Sequence, residues 1–247
     1  MQKFLNAAIQ ANKELYFYLQ EYHKELFSEF DLGVGGDISS GFDLFAEKLF
    51  IKYLSPFGII DSEESGKVGN GLREIIIDPI DGSSNIASGL PYFGTSIALK
   101  EAGKVKAAII CNLANGDLFY KMNNTALMVG KVDTNHFQEE NINKYEAKVG
   151  IFEKAYAHGN LVGKINALGF KFRTPGAVAL SLAYAHRVKF VLFKGRLRHY
   201  DLDAGLAMCN DLFVTMKRDY LLVAKEKAVF EKIEAILKDE NEIDRTF

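Results

Sequence analysis

Within the sequence, the run Asp78-Pro79-Ile80-Asp81-Gly82-Ser83-Ser84-Asn85 concentrates side chains that can do chemistry. Asp78 and Asp81 are hard oxygen donors of the kind that hold Mg²⁺ or Ca²⁺. Gly82 lets a ligand come close to the backbone. Ser83, Ser84 and Asn85 favour the opening of a helix, where free N–H groups can meet an anion. Pro79 stiffens the turn between the two carboxylates. A lone D-x-x-D-G also suits an ordinary acidic turn after a strand, so its meaning depends on other acidic positions. Those positions are Asp37, Asp43 and Glu47, then Asp61-Ser62-Glu63-Glu64-Ser65, and finally His199-Tyr200-Asp201-Leu202-Asp203-Ala204-Gly205.

The elements that must carry these residues can be read from periodicity. Glu74 to Ile77 is a β-branched run and predicts a buried strand that delivers Asp78 into a turn. Gln2 to about Phe30 keeps helical spacing through Phe4, Leu5, Ala8, Ile9, Leu15, Tyr16 and Leu19. Gly33 to Gly36 breaks the pattern and lacks the Lys-Ser/Thr of a P-loop. Asp43 is expected to cap a second helix over Leu44 to Leu54. Phe57 to Ile60 reads as a short strand. Thr95 to Lys100, Val105 to Asn112, Leu118 to Lys121 and Ala126 to Val129 form a meander with turns at 101–103 and 115–117. Residues 131 to 145 are polar and irregular, which places a lobe boundary there. Beyond it, strands at 148–152, 170–172, 189–193, 212–216 and 221–224 alternate with helices at 160–168, 177–185, 203–210 and 226–238. This alternation argues for an α/β layer. The expected organisation is an N-terminal α+β lobe over 1–130 and a C-terminal α/β lobe over 131–247.

Length and composition set limits. The chain has 247 residues, 48% of them hydrophobic, enough for one large domain or two lobes. A net charge of −2 gives no sign of a nucleic-acid or membrane-surface partner. No secretory signal or membrane-spanning run is evident, so cytoplasm is the expected compartment. Cys111 and Cys209 lie among apolar residues and read as buried free thiols.

Four motifs together are specific. Asp78 to Asn85 resembles the D-P-[IL]-D-G-[ST]-x-N signature of the inositol monophosphatase family, in a superfamily with fructose-1,6-bisphosphatase and 3′-phosphoadenosine phosphatase. Glu63-Glu64-Ser65 resembles its E-E-S element. Asp37, Asp43 and Glu47 resemble its D-x-x-x-x-x-D-x-x-x-E run, and Tyr200-Asp201-x-x-Ala204-Gly205 its W-D-x-x-A-G. The order is right and the motifs span most of the chain. The resemblance implies a layered α-β-α-β-α sandwich of the sugar phosphatase type, with the site between two lobes. It implies a Mg²⁺-dependent phosphomonoesterase acting on a small phosphorylated metabolite, a homodimer, and sensitivity to lithium.

Carried over by position, Glu63, Asp78, the Ile80 carbonyl, Asp81 and Asp201 are implied metal ligands, Asp201 coming from the second lobe. Gly82, Ser83 and Ser84 are the implied phosphate cradle. Asp43 and Ser83, with Glu63, are implied to position and activate the attacking water. Oxygen-only donors suit two or three Mg²⁺ ions. The resemblance departs at Tyr200, where the family usually has Trp, and at Gly33 to Gly36, where it often carries Lys or acidic residues. It departs again at Lys194, where inositol-specific relatives carry Glu. An ammonium there, with Arg196, Arg198 and His199 nearby, argues for a second anionic group on the substrate. Arg198 by itself reads as part of a solvated basic loop. The alternatives are a sugar bisphosphatase, a 3′-phosphoadenosine 5′-phosphate phosphatase, or a non-catalytic binding protein on the same fold.

Overall fold

A computed structural model describes every residue except Tyr22, Asp37, Asn124, Asn135 and 244–247. Asp37 of the upstream acidic run therefore lies outside the described residues. The chain divides into two compact units. The first comprises Met1–Glu140, Ala177–Leu180 and Arg198–Met208; the second comprises Asn141–Gly176, Ser181–Leu197 and Cys209–Phe247.

The first unit begins with α1 (Gln2–Tyr18), which ends well before Phe30. The reason is visible in the sequence: apolar spacing stops at Leu19, and Glu21, His23, Lys24 and Glu25 follow. A hairpin of β1 (Glu29–Leu32) and β2 (Ile38–Ser40) leads into α2 (Gly41–Leu54). Ser40, not Asp43, is the N-cap of α2. Asp43 is the third helical residue and answers Ser40 in a capping box, each side chain taking the other's backbone N–H.

Then come β3 (Ile59–Ser62), β4 (Gly66–Val68), β5 (Arg73–Asp81), the short helix α3 (Ser83–Ala87), β6 (Gly94–Glu101), β7 (Lys104–Asn112), β8 (Asp117–Met122), β9 (Met128–Lys131) and β10 (His136–Glu139). They form one sheet in the order β10-β9-β8-β7-β6-β5-β3-β4. Only β3 and β5 pair in parallel. The expected meander is β6 to β9. The polar stretch after it is not all irregular, because β10 pairs with β9 and prolongs the sheet.

Parity along β5 organises both faces of this sheet. Ile75 and Ile77 join Ile97, Leu99, Ile109 and Cys111 in the core beneath α1 and α2. Ile76, Ala98, Ala108 and Ile110 are equally buried but outside that core, on the opposite face. Burial of each Ile is worth about 1.5–3 kcal/mol, so a sheet covered on both sides is strongly held. The helix α6 (His199–Met208) packs on β5, β6 and β7. Asp201 therefore belongs with the first unit, a correction to the sequence-based boundary that put it in a C-terminal lobe. The physical reason is the apolar and small face of α6, with Leu202, Ala204 and Met208 buried.

The second unit holds β11 (Gly150–Glu153), α4 (Gly159–Ala167), β12 (Phe172–Arg173), β13 (Phe190–Lys194), β14 (Phe213–Met216), β15 (Tyr220–Ala224) and α7 (Lys227–Ile243). Its sheet runs β12-β11-β13-β15-β14, with β11 parallel to β12 and β13. Phe152, Phe190, Leu192 and Leu222 meet Leu161, Ile165, Val229, Ile233 and Leu237 in its core. The helix α5 (Val178–Ala183) spans the junction of the two units in sequence. Cys111 and Cys209 are both free and buried.

Candidate active site

Asp78 and Asp81 are not in a turn, as expected, but on β5 itself. Asp78 pairs with Ser96 and Asp81 with Gly94, so three steps on β5 oppose two on β6. The irregularity is a bulge, and Pro79 lies inside it because a residue without N–H cannot serve a regular ladder. The extra residue also shifts side-chain parity. Without it, positions 78 and 81 would face opposite sides of the sheet. Ile80 is buried within the same bulge.

Asp78 shares the parity of Ile76 and so faces α6. Its partner Ser96 donates its hydroxyl to the Tyr200 carbonyl at 3.1 Å. The next residue, Asp201, is in the first turn of α6 rather than ahead of the helix. Glu63 follows β3 directly, and its backbone N–H donates to the Ile77 carbonyl at 3.1 Å. These three placements converge: one carboxylate oxygen each from Glu63, Asp78 and Asp201 lie within 4.8 Å of one another, and all three residues are buried.

Such a cluster is electrostatically costly. Burial first, and then the charges of Glu63, Asp81 and Asp201, push the Asp78 carboxyl well above the ordinary carboxylate range. Arg198 acts in the other direction. Its Nε donates to Asp201 Oδ2 at 2.8 Å and its Nη2 to Asp201 Oδ1 at 3.0 Å. Nη1 pairs with Glu63 Oε1. One guanidinium thus stands against the three carboxylates of the triad. The expectation of a solvated Arg198 is wrong, and the i,i+3 spacing to Asp201 was the available signal.

The other expected residues take these places. Asp81 is buried and accepts the Leu180 N–H at 2.8 Å. Gly82 has φ +91°, and an added Cβ would meet the Tyr92 carbonyl oxygen at 3.1 Å and Ala177 Cβ at 3.2 Å. Glycine is thus needed both for the backbone turn and for the close approach. Ser83 and Ser84 open α3, whose first N–H groups lack intrahelical acceptors. Asn85 closes the loop behind them by donating Nδ2 to the Tyr92 carbonyl at 2.7 Å.

Asp43 is buried at the start of α2, with Oδ2 accepting from Ser40 N at 2.7 Å and Ser40 Oγ at 2.6 Å. Glu47 accepts from Ser65, through its N–H at 3.1 Å and its hydroxyl at 2.7 Å. Glu64 accepts from the Ser39 hydroxyl. Lys194 belongs to the second unit, and its Nζ is held by Asp219 Oδ2 at 2.8 Å.

Two supports were not foreseen. Asp61, on the same strand as the approach to Glu63, accepts the Tyr200 hydroxyl at 3.2 Å and has His199 Nε2 at 3.5 Å. Burial, and then the Asp61 charge, push the Tyr200 hydroxyl up to about 12. A Tyr at the usual Trp position therefore ties β3 to α6. The two-residue spacing of Asp61 and Glu63 at the end of β3 was the available hint. The second support is the glycine loop. Gly35 N donates to the Glu63 carbonyl at 2.7 Å, and Val34 N to the Glu64 carbonyl at 3.0 Å. A Cβ on Gly35 would come within 2.6 Å of Glu63 Oε1.

The donor set fits a hard divalent cation. It is all oxygen, buried, and carries more negative charge than Arg198 supplies.

Comparisons with known proteins bear on the family and the fold. The profile of the inositol monophosphatase family matches residues 1–212. The chain is 28% identical over 230 residues to the fructose-1,6-bisphosphatase/inositol-1-monophosphatase of Thermococcus kodakarensis, covering 84% of this chain and 86% of that one. It is 28% identical over 184 residues to the Nus factor SuhB of Xylella fastidiosa, covering 71% of this chain and 66%, just under two thirds, of that protein's length. Among solved structures, the suhB extragenic suppressor protein of Bartonella henselae superposes with a TM-score of 0.76 at 25% identity, over 94% of this chain and 97% of that one. The Thermotoga maritima IMPase superposes with a TM-score of 0.73 at 22% identity, over 97% and 99%, a likeness of fold. The four motifs, the layered arrangement of sheets and helices and the profile match agree: this chain belongs to the inositol monophosphatase family.

Proposed function

We propose that this protein is a Mg²⁺-dependent phosphomonoesterase acting on a small phosphorylated metabolite. The observation that carries the reading is the buried Glu63–Asp78–Asp201 triad, whose mutual repulsion a divalent cation would relieve. In this reading Glu63, Asp78, Asp81, Asp201 and the Ile80 carbonyl hold two or three Mg²⁺ ions. Bound there, Mg²⁺ supplies charge neutralisation at the phosphate and a lowered pKa for an attacking water.

The chain's own groups do the rest. The backbone at Gly82, Ser83 and Ser84 receives phosphate oxygens. The Ser83 hydroxyl orients the water, with Asp43 and Glu63 as its partners. Asp43 is already oriented by the capping box, so its carboxylate is presented in one geometry. A homodimer in the cytoplasm completes the reading; among the described residues no helix is long and apolar enough to cross a membrane.

Lys194 enters with its charge already balanced by Asp219. Its pull on a second anionic group is weaker than a free ammonium's, and the preference for a bisphosphate rests on sequence resemblance. The relatives support two substrate classes, since one is named for both fructose 1,6-bisphosphate and inositol 1-phosphate. The relative named as a Nus factor favours a second reading, a partner-binding protein on this fold.

Phosphate release from sugar, inositol and nucleotide phosphates, with and without Mg²⁺, tests the reading. Mg²⁺-dependent release is expected, and Asp81→Asn and Asp201→Asn should abolish it while leaving the fold intact. Comparing kcat/KM on inositol 1-phosphate and fructose 1,6-bisphosphate, in wild type and Lys194→Glu, tests the specificity. No release from any ester at millimolar Mg²⁺ would favour the binding-protein reading.

A further inference from the structure

Arg198 is the charged group at the triad that the proposed reaction leaves unused. Its two contacts with Asp201 form a planar fork at 2.8 and 3.0 Å, the bidentate geometry specific to a guanidinium. A third nitrogen reaches Glu63. The two carboxylates sit on separate elements, one just after β3 and one in the first turn of α6. Arg198 therefore clamps elements that are 135 positions apart in sequence at the Glu63 contact. Its side chain is 23% exposed, so part of it already meets water. A guanidinium does not lose its proton in a protein, so it can leave the carboxylates only by moving.

Glu63 and Asp201 are both members of the triad, and because Arg198 engages both Asp201 oxygens, the one Asp201 offers to a cation is among them. Resting on the cation-site reading above, we propose that Arg198 is a built-in counter-cation: it holds the triad together in the metal-free protein and is exchanged when the divalent ion binds. The exchange has two consequences of opposite sign. Without metal, Arg198 offsets part of the repulsion among Glu63, Asp78 and Asp201 and stabilises the fold. With metal, the contacts it gives up are subtracted from the affinity. An arginine that only braced the structure would produce the first effect without the second.

The test uses the full chain, stripped with chelator, in wild type, Arg198→Gln and Arg198→Lys. Mg²⁺ affinity is read by calorimetry and Tm is read with and without saturating Mg²⁺. For Arg198→Gln the Mg²⁺ Kd should fall at least about tenfold, equivalent to about 1.4 kcal/mol. Its metal-free Tm should drop, while its Tm at saturating Mg²⁺ should return to the wild-type value. Arg198→Lys keeps the charge but loses the fork, and its Kd should lie between the two. If Arg198→Gln does not fold, a Kd for Arg198→Lys below that of wild type carries the same expectation. An unchanged or weaker Kd in the variants, or a Tm lowered equally with and without Mg²⁺, overturns the exchange and leaves the cation site standing. Absence of Mg²⁺ binding in wild type overturns both.

Discussion

Asp78→Asn isolates the electrostatics of the triad, because it removes one charge at nearly constant volume. The Glu63, Asp78 and Asp201 oxygens lie within 4.8 Å of one another. At an effective dielectric constant of 20, a unit-charge pair at that separation interacts by about 3.5 kcal/mol. Asp78 meets the like charges of Glu63, Asp81 and Asp201, and Arg198 opposes them. At least one pair's worth of repulsion is left, on the order of 1–3 kcal/mol once the site is allowed to relax. Removing it should raise the metal-free Tm, at roughly 2–4 °C per kcal/mol for a chain of this size. A gain on the order of 5 °C is therefore expected in chelator. The same substitution removes a ligand. Wild type at Mg²⁺ of 100 times Kd should gain about 2.7 kcal/mol by mass action, and the variant little or nothing. Differential scanning fluorimetry with chelator and with Mg²⁺ reads both effects. If Asp78→Asn melts below wild type in chelator, or still responds to Mg²⁺ like wild type, the electrostatic account of the triad fails.

Three further outcomes follow from the same geometry. Ser83→Ala should lower kcat by roughly 10²–10⁴-fold with a smaller change in KM; a rise in KM alone would make Ser83 a binding group only. Gly35→Ala should weaken Mg²⁺ binding without unfolding, because its Cβ would press on Glu63 Oε1; calorimetry showing wild-type affinity would remove the loop from the site. The metal-free protein should also lose stability as pH rises. The folded Asp78 carboxyl is raised above its ordinary value of 3.8, so its contribution is full below that value and is lost as pH climbs through the raised one. Asp78→Asn should flatten this slope, and an equal slope in the two proteins would assign it elsewhere.

The local chemistry of this protein is written in short runs of its sequence. Asp78 to Asn85 names its donors, its stiff proline and its glycine within eight positions, and each acts over a few residues. The β-branched run before Asp78 and the turns of the meander were legible for the same reason. Capping was legible in kind but not in place: Asp43 does serve the start of α2, yet Ser40 holds the cap. What the tertiary structure decided is which distant pieces meet. Asp201 joins the first unit because α6 buries its small apolar face on the sheet of β5, β6 and β7, and that pairing leaves no local trace. The bulge at Pro79 brings Asp78 and Asp81 into play together only because β6 is there to be out of register with. Arg198 reads as a solvated arginine in one dimension and becomes the triad's partner once β3 and α6 are side by side. Local residue types specify what a group can do, whereas burial and long-range contact determine its charge, its partner and whether it can be replaced.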